Sequence, residues 1–250
     1  MKIFNKYSKY YDLMYHNKDY QKEADYIIAL HKKIPQNILD IGCGTGNHLV
    51  HFFKKKIETT GVDLSKQMIK LAIKKYPKIN FYSKNAKTFF FKEKFDVITS
   101  LFHVISYINT DRELLEIFKN VKKHLSEEGT FIFDFWYNEA VKKDKPHMRT
   151  KKFSILDKNF IKISEPVFNK TLEKIKLNLY LIEKNKKLNT LFFEKHLMRS
   201  YNPSSLFKLL KKAGFKNFTA YEWLSSKKVN INNWNACIVV KNEKKKIKLH

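Results

Sequence analysis

The sequence predicts an α/β fold with a mostly parallel central sheet, and three patterns indicate it. Between about residues 37 and 140, short apolar runs of strand length alternate with stretches of helical spacing. The run Ile38–Ile41 leads directly into a glycine-rich turn, and a second short strand ends in Asp63. Because strands joined by helices pair in parallel through right-handed crossovers, these patterns favour one open sheet.

The N-terminal 36 residues predict a helical segment. Tyr26, Ile27 and Leu30 have the spacing of a buried helix face, and Pro35 closes the segment. Tyrosines crowd the same segment more densely than a surface helix needs. We therefore expect this segment to pack on the core.

The core elements follow in alternation. Thr110 or Asp111 is the expected N-cap of the third helix, and Gly129 follows that helix. Strands are predicted at 37–41, 57–62, 79–82, 95–101 and 129–135, and helices near 46–56, 65–75 and 111–125.

The glycine turn predicts a ligand site. Gly42, Gly44 and Gly46 form G-x-G-x-G, which is one residue shorter than the dinucleotide fingerprint, and no G-K-[ST] completes a P-loop. Asp63 at the next strand end can accept hydrogen bonds from a ribose diol. The pattern favours a nucleoside ligand without a pyrophosphate. The alternative is a tight turn without a ligand, which does not need three glycines.

From about residue 147 to 200 the pattern changes to an antiparallel meander. Stretches such as "KIKLNLYLIEK" alternate strictly, as expected when one face of a strand is buried and the other is exposed. A helix follows, with Asn202 as its expected cap, Pro203 at its first position and Gly214 past its end.

The net charge of +26 permits two interpretations. A basic surface can bind nucleic acid, but nucleic-acid sites recruit arginine, and only Arg112, Arg149 and Arg199 are arginine here. The abundance of lysine, asparagine, isoleucine and phenylalanine favours compositional drift from an AT-rich genome. We therefore predict no specific nucleic-acid partner, although charge alone does not exclude one.

The remaining composition predicts a cytoplasmic globular protein. Apolar residues make up 43% of the chain, with no run long enough for a membrane span and no apolar core for a signal peptide. Cys43 and Cys237 do not make a disulfide framework. No His/Cys/Asp cluster has metal-ligand spacing, so we predict no metal.

Four motifs together resemble the class I methyltransferases that use S-adenosylmethionine: "LDIGCGTG", "GVDLS", "FDVITSLF" and "GTFIFDFW". The ending "LFKLLKKAGFKNF" and "WNACIVVK" is similar to that family's last helix and returning strand. The resemblance implies a Rossmann-like fold: a mostly parallel seven-stranded sheet with helices on both faces, plus the inserted antiparallel meander. It also implies one domain over 1–250, with a lid at 1–36, a core at 37–146 and 201–241, and an insertion at 147–200 that walls the acceptor pocket.

The resemblance assigns residues to S-adenosylmethionine. Asp40 and the glycine turn would hold the methionine portion, Asp63 the ribose, and Leu64 and Met68 the adenine. The family usually has Gly-Asp after the third strand, where this chain has Lys84-Asn85, so the adenine contact would lack charge assistance. The full predicted set is Tyr11, Tyr20, Asp40, Gly42, Cys43, Gly44, Gly46, Asp63, Leu64, Met68, Asn85, Ala86 and Leu101.

The acceptor side is predicted just beyond the fourth and fifth strands, where open α/β sheets bind ligands. His103 is the candidate catalytic residue, since a near-neutral pKa suits a proton acceptor; a hydrogen-bonded wall histidine is the equal alternative. Arg199 would hold an anionic group or form a salt bridge within the meander. The predicted substrate residues are Tyr15, His103, Tyr107, Trp136, Tyr137 and Arg199.

The group most similar to this sequence contains the N,N-dimethyltransferases of nucleotide-linked amino sugars, as indicated by "LFHVISYI", "FDFWYNEAV" and the tyrosine-rich opening. The expected acceptor is therefore a small molecule, namely a sugar nucleotide, and a homodimer is compatible with the insertion. An O-methyltransferase is the alternative. A nucleic-acid methyltransferase is disfavoured, because Thr99–Phe102 replaces the [N/D]-P-P-aromatic motif. A silent binding module that kept the fold is a further alternative.

Overall fold

Two β-sheets organise the molecule, one of seven strands and one of four. The computed structural model describes residues 8–155, 158–168, 170–184 and 189–242. Residues 1–7, the start of the predicted lid, lie outside the described residues. The strands are β1 Asn37–Ile41, β2 Glu58–Asp63, β3 Asn80–Ser83, β4 Phe95–Ser100, β5 Leu125–Trp136, β6 Arg149–Ile155, β7 Lys158–Phe168, β8 Lys174–Lys184, β9 Thr190–Arg199, β10 Asn217–Glu222 and β11 Asn235–Lys241.

The helices separate the strands of the large sheet and flank it. A short 3-10 helix, Val104–Tyr107, follows β4. The α-helices are α1 Ser8–Met14, α2 Tyr20–His31, α3 Leu49–Lys54, α4 Lys66–Lys75, α5 Asp111–His124, α6 Asn138–Lys143 and α7 Pro203–Lys212. None of the helices in the described ranges is long and apolar enough to cross a membrane.

The large sheet has the strand order β10-β11-β5-β4-β1-β2-β3. Strand β11 runs antiparallel to its neighbours β10 and β5. The pairs along β5-β4-β1-β2-β3 are all parallel. The predicted mostly parallel, seven-stranded sheet is therefore confirmed. Its parallel strands bring the ends of β1, β2, β4 and β5 to one edge, which is where the glycine turn lies.

Apolar side chains cover both faces of the large sheet. On one face, Phe118 of α5 packs against Phe131 and Phe133 of β5, with ring centroids 6.0 and 5.4 Å away. On the other face, Ile27 of α2 and Phe52 of α3 are fully buried. Truncating one such phenylalanine to alanine costs about 3–5 kcal/mol. The two layers hold the sheet edge rigid from both sides.

Several element boundaries differ from the sequence prediction for local reasons. Helix α3 begins at Leu49 rather than near 46, because Gly46 has a φ of 82°, which no right-handed helix accepts. Strand β5 begins at Leu125, which pairs with Phe95 before the chain departs and pairing resumes at Thr130. The predicted helical segment at the N-terminus is two helices with a turn between them.

Helix caps follow the prediction in part. Thr110 caps α5 by accepting a hydrogen bond from the Glu113 N–H at 3.3 Å. Asn202 occupies the N-cap position of α7 but its side chain makes no cap bond; its amide instead donates to Glu139 at 3.2 Å. The expected capping role of the Asn202 side chain is therefore wrong, whereas Pro203 does begin the helix.

The four-stranded sheet is the predicted antiparallel meander, in the order β6-β7-β8-β9. Its inner face packs on α1, with Phe160, Leu179 and Leu181 buried against Tyr10 and Met14. The insertion and the N-terminal helix therefore form one unit beside the glycine turn.

Candidate active site

The three glycines of the turn have different neighbours. All three adopt positive φ: 76° at Gly42, 55° at Gly44 and 82° at Gly46. A Cβ on Gly42 would lie 2.6 Å from Val104, and one on Gly46 would lie 2.5 Å from Phe81. A Cβ on Gly44 would have no heavy atom of the described residues within 4 Å. Two glycines therefore serve protein packing, and Gly44 alone faces open space that a ligand can use.

Asp63 is oriented by the backbone at the end of β2. Its Oδ2 accepts from the Gly44 N–H at 3.0 Å, and its Oδ1 accepts from the Ser65 N–H at 2.7 Å. Burial raises the pKa of this carboxyl, while the two N–H groups oppose the rise. A carboxylate has about four lone-pair positions, so each oxygen can still accept a hydroxyl. Leu64 beside it is 74% exposed and offers an apolar surface to a flat ring.

Three carboxyl groups meet near this edge in a chain of net charge +26. Asp40 is buried and accepts from Thr99 Oγ1 at 2.7 Å. Burial raises its pKa to about 6, and the charges of Asp63 and Asp134 contribute to the rise. Clustered acids of this kind favour a cationic ligand. S-adenosylmethionine carries a sulfonium and an ammonium group, so the residues present fit it.

Other predicted cofactor residues lie deeper. Cys43, Met68 and Leu101 are buried, and burial raises the pKa of the Cys43 thiol well above its usual value. The Asn85 side-chain oxygen Oδ1 already accepts from the Lys87 N–H at 2.9 Å. Ala86 packs against the apolar core. Their contact with a cofactor stays a prediction.

Asp12 holds α1 against the glycine turn. Its Oδ1 accepts from Thr45 Oγ1 at 2.6 Å and from Asn47 Nδ2 at 2.9 Å, and its Oδ2 accepts from Lys75 Nζ at 2.8 Å. The sequence prediction missed Asp12. The available signal was a single acidic residue within the tyrosine-rich "KYYDLMY".

Glu23 fixes α2 to the core. Its carboxylate accepts from His48 at 2.6 Å, from Trp223 Nε1 at 3.3 Å and from Lys18. Burial alone would raise the pKa of Glu23, but the hydrogen bonds and charges of His48 and Lys18 lower it to about 2. Helix α2 is thereby tied to the start of α3 and to the loop after β10.

His103 lies just past β4 in a constrained loop. Phe102 and His103 both have positive φ, 64° and 63°. The His103 backbone N–H donates to Asp134 Oδ1 at 2.8 Å. The ring Nε2 lies 2.9 Å from Asn235 Oδ1 and 3.6 Å from Asp134 Oδ2. Because both partners are acceptors, Nε2 carries the proton, and the neutral ring then has its lone pair on Nδ1.

Aromatic rings surround this loop. Tyr15 packs edge-on against Phe102 with centroids 4.9 Å apart and lies 4.9 Å from Tyr11, while Trp136 lies 5.9 Å from His103. Lys162 of β7 donates to the Tyr15 hydroxyl at 3.2 Å. The structure therefore brings Tyr11, Tyr15, His103 and Trp136 together. The sequence prediction missed Phe102 and Lys162.

The other predicted residues have separate environments. Tyr20 packs edge-on against His48, with centroids 4.9 Å apart. Tyr137 pairs with Tyr201 in an isolated bridge at the end of β5. Arg199 donates to Asp111 at 2.7 Å, so its ion pair runs to α5 and not within the meander as the alternative expected.

The chain is similar to known methyltransferases. Residues 38–129 match the family model described as a methyltransferase domain. A structure of an S-adenosylmethionine-dependent methyltransferase from Clostridium acetobutylicum ATCC 824 superposes with a TM-score of 0.79 at 24% identity, covering 96% of this chain and 100% of that one. Residues 38–129 therefore match a methyltransferase domain, and the superposition shows that the chain shares the fold of that neighbour.

Two curated relatives have names that state a substrate. The chain is 33% identical over 132 residues to a dTDP-3-amino-3,4,6-trideoxy-α-D-glucopyranose N,N-dimethyltransferase from Streptomyces venezuelae, covering 51% of this chain and 56% of the relative. It is 31% identical over 123 residues to a dTDP-4-amino-2,3,4,6-tetradeoxy-D-glucose N,N-dimethyltransferase from Saccharopolyspora spinosa, covering 48% and 49%. The chain thus spans about half the length of the curated relatives that it matches.

Proposed function

We propose that this protein transfers a methyl group from S-adenosylmethionine to the amino group of a nucleotide-linked sugar. The observation that carries the proposal is the mutual charge effect of Asp40, Asp63 and Asp134, together with the bond from the Gly44 N–H to Asp63, within a strongly basic chain. That edge suits a cationic ligand, whereas the surrounding lysine-rich surface suits an anionic diphosphate. The named activities of the two relatives support an amino sugar as acceptor.

The chain's own residues would act mainly by positioning. S-adenosylmethionine, when bound, supplies an activated methyl group on its sulfonium sulfur. Asp63 would orient the ribose, and the aromatic rings of Tyr15 and Trp136 would wall the sugar. In-line displacement depends on holding the reacting atoms in register, so positioning is the largest expected contribution.

His103 is the candidate base of the proposed reaction. Its Nε2–H is directed to Asn235 and Asp134, which fixes the ring and leaves Nδ1 as the acceptor in the neutral form. If His103 is the base, His103→Ala lowers turnover by roughly 10²–10⁴, and if it only positions substrate the loss is small. His103→Asn, which lacks a titratable ring, serves as the matched variant.

The acceptor is tested with a panel of dTDP- and UDP-amino sugars and the matching hydroxy sugars. Mass spectrometry follows gains of one or two methyl groups. We expect gains on the amino sugars alone. Turnover confined to hydroxy sugars would convert the proposal to an O-methyltransferase, and turnover of simple amines alone would discard the sugar.

A homodimer is proposed through the outer face of the four-stranded sheet. Directly paired residues share a face, so Leu191 lies beside Ile182, and Phe193 beside Tyr180. Leu191 and Phe193 are 60% and 45% exposed. A second copy of the chain would cover this apolar face. Sedimentation velocity should give a dimer that Phe193→Lys dissociates, while a native monomer would overturn the proposal.

The proposed setting is the cytoplasm, without a specific nucleic-acid partner. Both cysteines, Cys43 and Cys237, are buried and free, which suits a reducing compartment. Most basic residues are lysines rather than the arginines that read base edges. Fractionation of cells that express a tagged chain tests the compartment, and a membrane or secreted fraction would contradict it.

A further inference from the structure

A buried hydrogen-bonded chain joins the four-stranded sheet to the acceptor side of the site. The Tyr107 hydroxyl lies 2.8 Å from His196 Nδ1, and His196 Nε2 lies 3.2 Å from Glu194 Oε2. His196 is only 1% exposed, and its ring meets the Tyr107 ring edge-on with centroids 5.7 Å apart. A histidine so deeply buried beside a carboxylate is costly unless it is fully hydrogen-bonded.

The partners fix the direction of these hydrogen bonds. An ionised carboxylate only accepts, so the His196 Nε2–H donates to Glu194. The neutral ring then has its lone pair on Nδ1, and the Tyr107 hydroxyl donates to it. A hydroxyl that donates its own proton can take up another through its oxygen. The arrangement can therefore pass a proton from Tyr107 to His196.

Tyr107 is placed to serve the acceptor pocket. It ends the 3-10 helix that begins directly after His103. Burial raises its pKa well above the usual value, followed by the effects of Tyr15 and Glu194. Tyr107 in turn raises the pKa of Tyr11, after burial, Tyr15 and Tyr20. The Tyr107 hydroxyl would act as a base only if His196 takes its proton.

Two of the described titratable groups contact the His196 ring: Glu194 on the same strand and Tyr107 on the 3-10 helix. Tyr15, just past α1, acts on Tyr107, and Lys162 of β7 reaches the Tyr15 hydroxyl. On β8, the residue paired with His196 is the apolar Leu177. Glu194 is therefore the carboxylate that accepts from the imidazole.

We propose that Tyr107, supported by His196 and Glu194, and not His103, removes the proton that an acceptor ammonium must lose before methylation. His103 then only positions the substrate. The inference rests on the proposed function. The ammonium N–H bond breaks and its proton moves to the Tyr107 oxygen, while the Tyr107 proton moves to His196 Nδ1. The electron pair left on nitrogen then forms the bond to the methyl carbon, and the methyl–sulfur bond breaks with its pair kept by sulfur.

Two substitutions separate this relay from a structural tether. Tyr107→Phe removes the hydroxyl and keeps the ring. His196→Asn places an amide oxygen near the position of Nδ1, so it still accepts from Tyr107 but cannot store a proton. Tyr26→Phe is the matched control, because it deletes another hydroxyl that is bonded, at 2.6 Å, to the Ser225 carbonyl on a different element.

The measurement is the single-turnover rate of amine methylation from about pH 6 to 9, at saturating S-adenosylmethionine. We expect Tyr107→Phe to slow methyl transfer by roughly 10²–10³ and His196→Asn by roughly 10–10², with cofactor affinity unchanged. Glu194→Gln should slow methyl transfer by a factor similar to that of His196→Asn, because the His196 Nε2–H loses its ionised acceptor. Tyr26→Phe should keep the native rate.

The outcomes distinguish the inference from the proposed function. If the native chain methylates amines and His196→Asn keeps the native rate, the hydrogen-bonded chain is only structural. That result would overturn the relay but not the proposed function. A pH profile abolished in His103→Asn but intact in Tyr107→Phe would assign the base to His103 and also overturn it. Failure of the native chain to methylate any amine would overturn the proposed function, and the relay with it.

Discussion

Asp12 accepts a hydrogen bond from Thr45 across 33 positions of sequence, at 2.6 Å, and this contact joins α1 to the glycine turn. The same carboxylate also holds Asn47 and Lys75. Helix α1 and the glycine turn are therefore one hydrogen-bonded unit, and we expect cofactor release to require these bonds to open or to move together.

We expect Asp12→Ala to weaken S-adenosylmethionine binding mainly by speeding its dissociation. The loss of hydrogen bonds to a charged group is worth about 1.5–3 kcal/mol, or roughly ten- to a hundredfold in Kd. Stopped-flow dissociation and isothermal titration measure the effect. Asp25→Ala, on α2 and paired at the surface with Lys55 at 2.9 Å, is the control. Equal dissociation rates in both variants would contradict the expectation that Asp12 slows release of the cofactor.

Asp63→Ala should weaken cofactor binding by a similar factor through a different route. The substitution removes a charge-assisted ribose contact and also the acceptor for the Gly44 N–H. We expect a loss of about 1.5–3 kcal/mol, seen as a roughly ten- to hundredfold rise in Kd by isothermal titration. Asp63→Asn keeps a side-chain oxygen, so its Kd should lie between those of the native chain and Asp63→Ala. Undiminished binding by the alanine variant, or tight binding of NAD by the native chain, would remove the cofactor assignment.

Cofactor affinity should fall as the pH drops below about 6, the pKa of Asp40. A bound cation favours the ionised carboxylate, so affinity is full above that pKa and is lost as protonation neutralises the group. Titrations between pH 5 and 8 measure this dependence. Asp40→Asn keeps an acceptor for Thr99 Oγ1, and its binding should be weaker and nearly independent of pH in that window. If the affinity of Asp40→Asn depends on pH as steeply as that of the native chain, a group other than Asp40 causes the dependence.

Glu23 should stabilise the fold in a pH-dependent manner. Its pKa is lowered from 4.5 to about 2 in the folded chain, so its contribution is present above about pH 4.5 and is lost as the pH falls toward 2. At neutral pH, Glu23→Gln should lower the free energy of unfolding by about 3–5 kcal/mol, because His48 and Lys18 lose their buried partner. Urea unfolding at pH 7 and pH 3 tests this: the difference between native chain and variant should shrink at pH 3.

Binding to nucleic acid should be weak, independent of sequence and strongly dependent on salt. If the lysine excess reflects composition, each contact is a phosphate contact that salt removes. Fluorescence anisotropy with duplex DNA and tRNA at about physiological ionic strength is the measurement. Submicromolar binding at that salt, together with methylation of the nucleic acid, would favour the nucleic-acid alternative.

The sheet was predictable because its signals are local. β1 was predicted over its observed residues, since apolar strand and glycine turn are adjacent in sequence. The two roles of the glycines were not predictable, because Val104 and Phe81 approach Gly42 and Gly46 only in three dimensions. Pattern showed that side chains were excluded there, but not which neighbour excluded them.

The polar network of the site was the least predictable part. Asp134 stands alone within an apolar strand, and its contacts with His103 depend on the register of β4 against β5. Glu194 and His196 occupy ordinary alternating positions of β9, and only the fold brings them to Tyr107. Long-range pairs of this kind leave no periodic trace, so their members looked like unremarkable strand residues.

Phe102 and His103 have consecutive positive φ values, and this strain lowers the stability of the fold at residues that the proposed reaction uses. Each such residue costs about 1–3 kcal/mol, and glycine would adopt the same backbone without strain. Selection for thermal resistance alone should therefore enrich glycine or asparagine at 102 and 103. The survivors would tolerate more heat, yet they would lose the ring that packs on Tyr15 or the imidazole itself. A heat-selected library read by sequencing would thus report this loop as a weak point, when it is the part of the chain that the proposed reaction needs most.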